Sequence, residues 1–189
     1  MKLFLASVAI IALSISFLVS PFVGMSHLRT AIDARNAAEL SERVDFRRVG
    51  NSLSEQIVGT YLKISGRSQQ LGVLGTSLAA GVARSLAEPL LADIANPEGM
   101  LKFLTGSGVS VLPNGLASFS LGTATAWQLF LATEYGFGNA YVTLPLNTDT
   151  ADQFRVRLQI LQWNWKVTAI DLPERVRIEL AKELQKRIR

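Results

Sequence analysis

The chain has no cysteine and only one histidine, His27, among its 189 residues. Without cysteine it forms no disulfide, and no thiolate is present to bind zinc, to act as a nucleophile or to carry a lipid. A single histidine is also too few for the clustered ligands of most zinc and transition-metal sites. We therefore expect no metal in this protein.

The motifs of the common enzyme classes are missing as well. The sequence contains no Gly-x-Ser-x-Gly, and a serine–histidine pair could use only His27. Gly106-Ser107-Gly108 looks like part of a phosphate-binding loop, but the later glycine and the Lys-Ser/Thr pair are absent. We expect no cofactor, and whether the chain is an enzyme stays open at this point, with the balance against it.

Charged residues are sparse, at 18% of the chain, and the formal net charge is +4. The C-terminal segment 174–189 holds six basic and three acidic residues, so everything before it is close to neutral. A nucleic-acid-binding domain normally carries a basic patch, and none is present here. The composition therefore predicts no nucleic-acid partner.

One long apolar run stands at the N-terminus. From Leu3 to Met25 no side chain is ionisable, and Lys2 precedes the run. A helix needs about 20 such residues to cross a bilayer. Since small residues are poorly placed for signal-peptidase cleavage, an uncleaved anchor is favoured over a signal peptide. We expect a single-pass inner-membrane protein that contacts the membrane through residues 3–25, with its C-terminal domain in the periplasm.

The first half of the remaining chain predicts helices. Asn36 can cap a short helix. Ser52 and Glu55 have the spacing of a capping box, so a helix is expected to start there. From Leu71 to Ile94 leucines and other apolar residues recur every three or four positions, which predicts a long amphipathic helix.

The second half changes to a period of two. Apolar and polar residues alternate, which is typical of antiparallel strands with one buried face. The pattern predicts about four strands, at Trp127–Thr133, Ala140–Leu146, Phe154–Ile160 and Trp165–Leu172. Helices followed by strands indicate the α+β class. We therefore divide the chain into a membrane anchor or signal segment (1–25), an α+β domain (26–173) and a basic amphipathic C-terminal helix (174–189).

A set of short stretches spread over about residues 21–173 carries a family resemblance. They are Leu28–Ile32, Val44–Phe46, Asn51–Leu53 with Gln56, Asn96–Gly99, Phe154–Leu158, and Trp165–Val167 with Leu172-Pro173. As a set they resemble the uncharacterised bacterial family named domain of unknown function 2939. The resemblance implies an envelope protein with a membrane helix, and it implies no activity. The order of elements is also similar to the nuclear transport factor 2-like folds, whose sheet and helices enclose a conical pocket; fold alone carries no function.

Asp45 is the only carboxylate that we single out as a catalytic candidate. It lies between Val44 and Phe46, where partial burial would suit a general acid. The alternative is that it caps a turn or pairs with Arg43, Arg47 or Arg48, and that alternative is favoured.

The candidates for ligand binding lie in the sheet half: Trp127, Tyr141, Arg155, Arg157 and Trp165. The aromatic residues could line a hydrophobic pocket or simply belong to the core. The two arginines share a strand face that points away from the apolar one, where they could bind an anionic head group or only face solvent.

These observations favour a non-enzymatic, membrane-anchored module of the bacterial envelope, which binds an apolar or amphipathic ligand, a lipid or an envelope protein. One alternative is an enzyme that uses carboxylate acid–base chemistry in a cone-shaped pocket. Another is a purely structural assembly subunit, and the sequence does not separate it from the first hypothesis.

Overall fold

The computed structural model describes residues 2–66, 96–104, 132–136, 138–144 and 152–188, with the single positions 81, 85, 91, 92, 128 and 149. In these residues helices α1 (Lys2–Asp33), α2 (Ala37–Arg43), α3 (Phe46–Ile64) and α4 (Pro97–Leu104) come first. Strands β1 (Thr133–Gly136), β2 (Asn139–Leu144), β3 (Phe154–Leu161) and β4 (Asn164–Asp171) follow, and then helix α5 (Glu174–Ile188). This order confirms the α+β class.

The four strands form one antiparallel sheet in the order β1-β2-β3-β4. Alternation along the strands sends one set of side chains into the core, because successive residues point to opposite faces. The buried set on β2 and β3 comprises Ala140, Val142, Phe154, Val156 and Leu158. The four-stranded antiparallel sheet predicted from the period-two pattern is therefore confirmed.

The strand predicted at Trp127–Thr133 is wrong where the structure describes it. Gln128 is helical, and the backbone N–H of Ala132 donates to the carbonyl oxygen of Gln128 at 2.9 Å, which is the spacing of a helical turn. Strand β1 begins only at Thr133. A short apolar run cannot be assigned to strand or helix by its periodicity alone, and here the helical turn prevails.

Helix α1 continues through residue 25 into the α+β domain, where Met25, Leu28 and Ile32 are buried in the core. It ends in a Schellman motif: the N–H groups of Arg35 and Asn36 donate to the carbonyls of Ile32 and Ala31. Arg35 holds a φ of 49°, a position usually taken by glycine. In the described part of the chain no helix is both long and apolar enough to span a membrane. Of residues 2–21, only the side chains of Ser7, Val8, Ile11 and Ser20 belong to that part.

Two helix starts test the capping predictions. The side chain of Asn36 accepts a hydrogen bond from the N–H of Glu39 and caps α2, which confirms that prediction. The start predicted at Ser52 is wrong, because α3 begins at Phe46 and Asp45 is its N-cap residue. Asp45 supplies the same capping chemistry as Ser52 but earlier in the chain, so Ser52 falls inside the helix.

Helix α3 packs against β4 on the core face of the sheet, and its buried stripe includes Val49, Leu53, Ile57 and Tyr61. Gln56 ties the same helix to the end of β4. Its side chain donates to the carbonyl of Ile170 and accepts from the N–H of Leu172, each at 2.8 Å. The amide thus satisfies two backbone groups where the strand ladder stops.

Helix α5 buries Val176, Leu180 and Leu184, which are spaced by four residues as in an amphipathic helix. In the described residues its main partner is α3 rather than the sheet. Most of the helix predicted from Leu71 to Ile94 lies outside the described residues; positions 81, 85 and 91 within it are helical.

Candidate functional site

The face of the sheet opposite the core is polar, and three of the candidate binding residues lie on it. The register pairs Glu134 with Tyr141 and Tyr141 with Arg157, so these three side chains form a row across β1, β2 and β3. Arg155 lies in the adjacent row, opposite Thr143. The structure therefore brings Tyr141, Arg155 and Arg157 together, and we call these three residues the Arg-Tyr cluster.

The Tyr141 ring is contacted by both guanidinium groups of the cluster. The Cζ atom of Arg155 lies 4.3 Å from the ring centroid and that of Arg157 lies 5.7 Å away. Both distances are within the range of a cation–π interaction. The ring restrains two long side chains that would otherwise rotate freely, so the guanidinium groups are presented in a preferred arrangement.

The two arginines differ in their ionic partners. The Nη2 atom of Arg155 contacts the Glu134 carboxylate at 2.5 Å, so its charge is compensated within the protein. The Nε atoms of both arginines are buried without a hydrogen-bond acceptor, but Arg157, unlike Arg155, has no acidic partner in the described ranges. Its row ends on β4 at Ala169, a small residue. Arg157 is therefore the member of the cluster best able to bind an anion.

A second polar network joins α3 to the same face. Arg48 Nη1 donates to the side-chain oxygen of Gln159 at 3.1 Å, and Gln159 Nε2 donates to Asn139 Oδ1 at 2.8 Å. Sequence reasoning missed Gln159 and Asn139, although their positions in alternating strands place them on the polar face. Only the register shows that they are opposite one another, since Asn139 pairs with Gln159 across β2 and β3.

Asp45 has the structural role that the alternative interpretation gave it. One carboxylate oxygen accepts from the backbone N–H of Arg48 at 3.0 Å, and the other lies 3.2 Å from Arg48 Nε. Both oxygens are thus used in capping α3 and in an ion pair. This geometry gives no support to Asp45 as a general acid.

The tryptophan candidates do not join the Arg-Tyr cluster. Trp165 is only 7% exposed and lies on the core face, where its Nε1 donates to Ser20 Oγ on α1 at 2.5 Å. A third tryptophan, Trp163, is 98% exposed at the tip of the β3–β4 hairpin. Trp127 lies outside the described residues. Because Trp165 and Tyr141 are on opposite faces, they do not line a common pocket, and Trp165 belongs to the core, as the alternative interpretation had it.

A cleft of about 530 Å³ opens between α3 and α5, away from the sheet. Its polar lining carries both signs of charge: Glu55, Lys63, Glu174 and Arg177. It is not the conical pocket between sheet and helices that a nuclear transport factor 2-like fold would have, and that resemblance stays a prediction.

Within the part of the chain that the structure describes, no three histidine or acidic residues are grouped so as to hold a metal ion. Burial raises the pKa of the Tyr135 hydroxyl above its ordinary value of 10.0, so the tyrosinate form is further disfavoured at neutral pH. The described residues thus offer a better arrangement for binding an anion than for proton transfer.

Comparison with known proteins adds a family but no activity. A family model described as "Protein of unknown function (DUF2939)" matches residues 10–102. No curated protein and no solved structure matches the chain. The matched range includes most of α1 and all of α2 and α3, while the Arg-Tyr cluster lies beyond it. The resemblance to this family seen in the sequence is therefore confirmed over residues 10–102, where the chain matches the family model.

Proposed function

We propose that this protein is a membrane-attached, non-enzymatic binding module of the bacterial envelope, and that its Arg-Tyr cluster binds the anionic head group of an amphipathic ligand. The observation that carries the proposal is Arg157. Its guanidinium is held against the Tyr141 ring and has no acidic partner in the described ranges.

The chemistry of the cluster favours a carboxylate or a phosphate as the bound group. A guanidinium presents a planar fork of N–H donors that matches two oxygen atoms at once. Arg155 already binds a carboxylate on the same face, that of Glu134. An anion at Arg157 would repeat that interaction, and the adjacent Tyr141 ring offers an apolar surface to the rest of the ligand.

Membrane attachment rests on the sequence of α1. The run from Leu3 to Met25 contains no ionisable side chain. Because Ser20 and Gly24 contact Trp165, the span would lie ahead of Ser20, and the 17 residues 3–19 are near the lower limit for a helix that crosses the hydrocarbon core. We propose a single pass through the inner membrane with the α+β domain in the periplasm. An amphipathic ligand would then be available close to the α+β domain, since the domain stays near the lipid surface.

The ligand proposal can be tested by native mass spectrometry of the full chain, reconstituted in vesicles of phosphatidylcholine and phosphatidylglycerol and released in a mild detergent. We expect retained phosphatidylglycerol, and we expect Arg157→Gln to retain several-fold less. Arg175→Gln is the matched control, because Arg175 is exposed and its Asp152 ion pair at 3.4 Å joins α5 to the segment before β3. Equal retention by all three proteins would refute the assignment of the site.

The location can be tested separately by protease accessibility of a C-terminal tag in intact spheroplasts, followed by an alkaline carbonate wash of the membranes. Loss of the tag from outside, with a membrane fragment that survives the wash, supports the proposal. A tag that is protected until lysis places the domain in the cytoplasm and contradicts it.

A further inference from the structure

The tip of the β3–β4 hairpin exposes a tryptophan in a rare backbone conformation. Gln162 and Trp163 form the turn with φ values of 52° and 65°, and Trp163 is 98% exposed. Two successive positive φ values define a type I′ turn, which favours asparagine and glycine. A large aromatic residue gains nothing here from burial within the protein, and its exposure leaves the indole accessible to a surface outside the chain.

The chemistry of the tip is that of a lipid–water interface. Trp163 stands between Gln162 and Asn164, and no residue from Leu161 to Trp165 is charged. An indole with an apolar body and one N–H donor is favoured at the head-group level of a bilayer, where both parts are satisfied. Flanking amides are compatible with that depth because they can hydrogen-bond to water and head groups.

The position of the tip adds an independent argument. Trp165, two residues along β4, donates to Ser20 Oγ, and a Cβ atom on Gly24 would lie 2.6 Å from the Trp165 Cβ. Two residues of a strand span about 7 Å. The tip is therefore about 7 Å along the strand from a residue that contacts α1 at Ser20 and Gly24, and both of these belong to the apolar run Leu3–Met25.

We infer that Trp163 is a second membrane contact, which inserts its indole into the lipid interface beside the point where α1 enters the bilayer. This inference rests on the proposed membrane attachment and adds to it a defined orientation of the domain. With α1 and the hairpin tip both fixed, the sheet cannot rotate about the axis of α1.

The absence of cysteine makes the test direct, because a single introduced cysteine can be spin-labelled without background. The full-length variants Val8→Cys, Trp163→Cys and Lys186→Cys are reconstituted in vesicles of phosphatidylcholine and phosphatidylglycerol. The depth of each label is measured from its relative accessibility to oxygen and to a water-soluble nickel chelate. Val8 is 47% exposed on α1, and the Lys186 side chain is 76% exposed on α5.

We expect the label at position 8 in the hydrocarbon core, that at position 163 at the head-group level, and that at position 186 in water. A label at 163 as accessible to the chelate as that at 186, with position 8 in the core, overturns the inference and leaves the anchor standing. A label at 8 in water overturns the proposed membrane attachment, and this inference with it.

Since the cysteine variant removes the indole itself, a second measurement uses the native residue. Lipids brominated near the head group quench tryptophan fluorescence at short range. We expect Trp163→Tyr to lose a quenched component that the wild-type chain shows. Identical fractional quenching in the two proteins would show that Trp163 does not reach the lipid.

Discussion

Replacing Gly24 by alanine tests the contact that joins α1 to the sheet. In the structure a Cβ atom at this position would lie 2.6 Å from the Cβ and 3.2 Å from the Cγ of Trp165. The Trp165 Cβ is fixed to the backbone of β4, so no side-chain rotation relieves the clash. Helix and strand must therefore move apart.

The expected change in the free energy of unfolding is the sum of opposing effects. Alanine in place of glycine inside a helix is favourable by about 1 kcal/mol. Overpacking of a well-packed site is unfavourable by about 1–3 kcal/mol. Separation also weakens the hydrogen bond from Trp165 Nε1 to Ser20 Oγ, which is worth about 1 kcal/mol. We expect Gly24→Ala to lower the free energy of unfolding by about 1–2 kcal/mol.

Gly59→Ala is the matched control, because Gly59 is also inside a helix and nothing lies within 4 Å of the position that its Cβ atom would take. We expect this variant to be more stable than the wild type by about 0.5–1 kcal/mol. The assay is urea unfolding of the full chain in a mild detergent, in which a change of about 2 kcal/mol moves the midpoint by roughly 1 M. Equal stabilisation by both substitutions would refute the close contact of α1 and β4.

Variants at three further positions probe other contacts in the same assay. Gln56→Leu should lower the free energy of unfolding by about 2 kcal/mol, because the backbone groups of Ile170 and Leu172 lose their partners; unchanged stability would contradict this. Asp45→Ala should lower it by about 1 kcal/mol through loss of the α3 cap, and Asp45→Asn should lower it less; equal losses would argue against capping. Arg35→Gly should raise the midpoint by relieving a positive φ of 49°, and a decrease would show that the arginine side chain matters more than the backbone.

The elements with a strong, sustained pattern could be predicted from the sequence. The alternation from Phe154 to Ile160 set both the strand and the face on which Arg155 and Arg157 lie. The apolar positions Val176, Leu180 and Leu184 predicted the last helix but not the element that it packs against. Periodicity shows which side of a helix is apolar and not what covers that side.

The features that could not be predicted from the sequence depended on a choice between two similar local signals or on contacts between residues far apart in the chain. Asp45 and Ser52 both have cap chemistry, and nothing in the sequence ranks one above the other. Tyr141 and Arg157 are 16 positions apart and become neighbours only through the register of β2 and β3. The same holds for Trp165 and Ser20, whose hydrogen bond joins parts of the chain that share no local pattern.

Helix α1 is continuous from Lys2 to Asp33. Its length therefore fixes both the distance and the rotation of the α+β domain relative to the first residues of the helix. One residue inserted ahead of Ser20 would raise the α+β domain by about 1.5 Å and turn it by about 100° relative to the first residues of the helix. Insertion of seven residues would nearly restore the original rotation of the domain about the helix axis while moving it about 10 Å farther along that axis. Rotation and distance can thus be varied separately by insertion, which offers a way to ask which of the two matters for the proposed ligand binding.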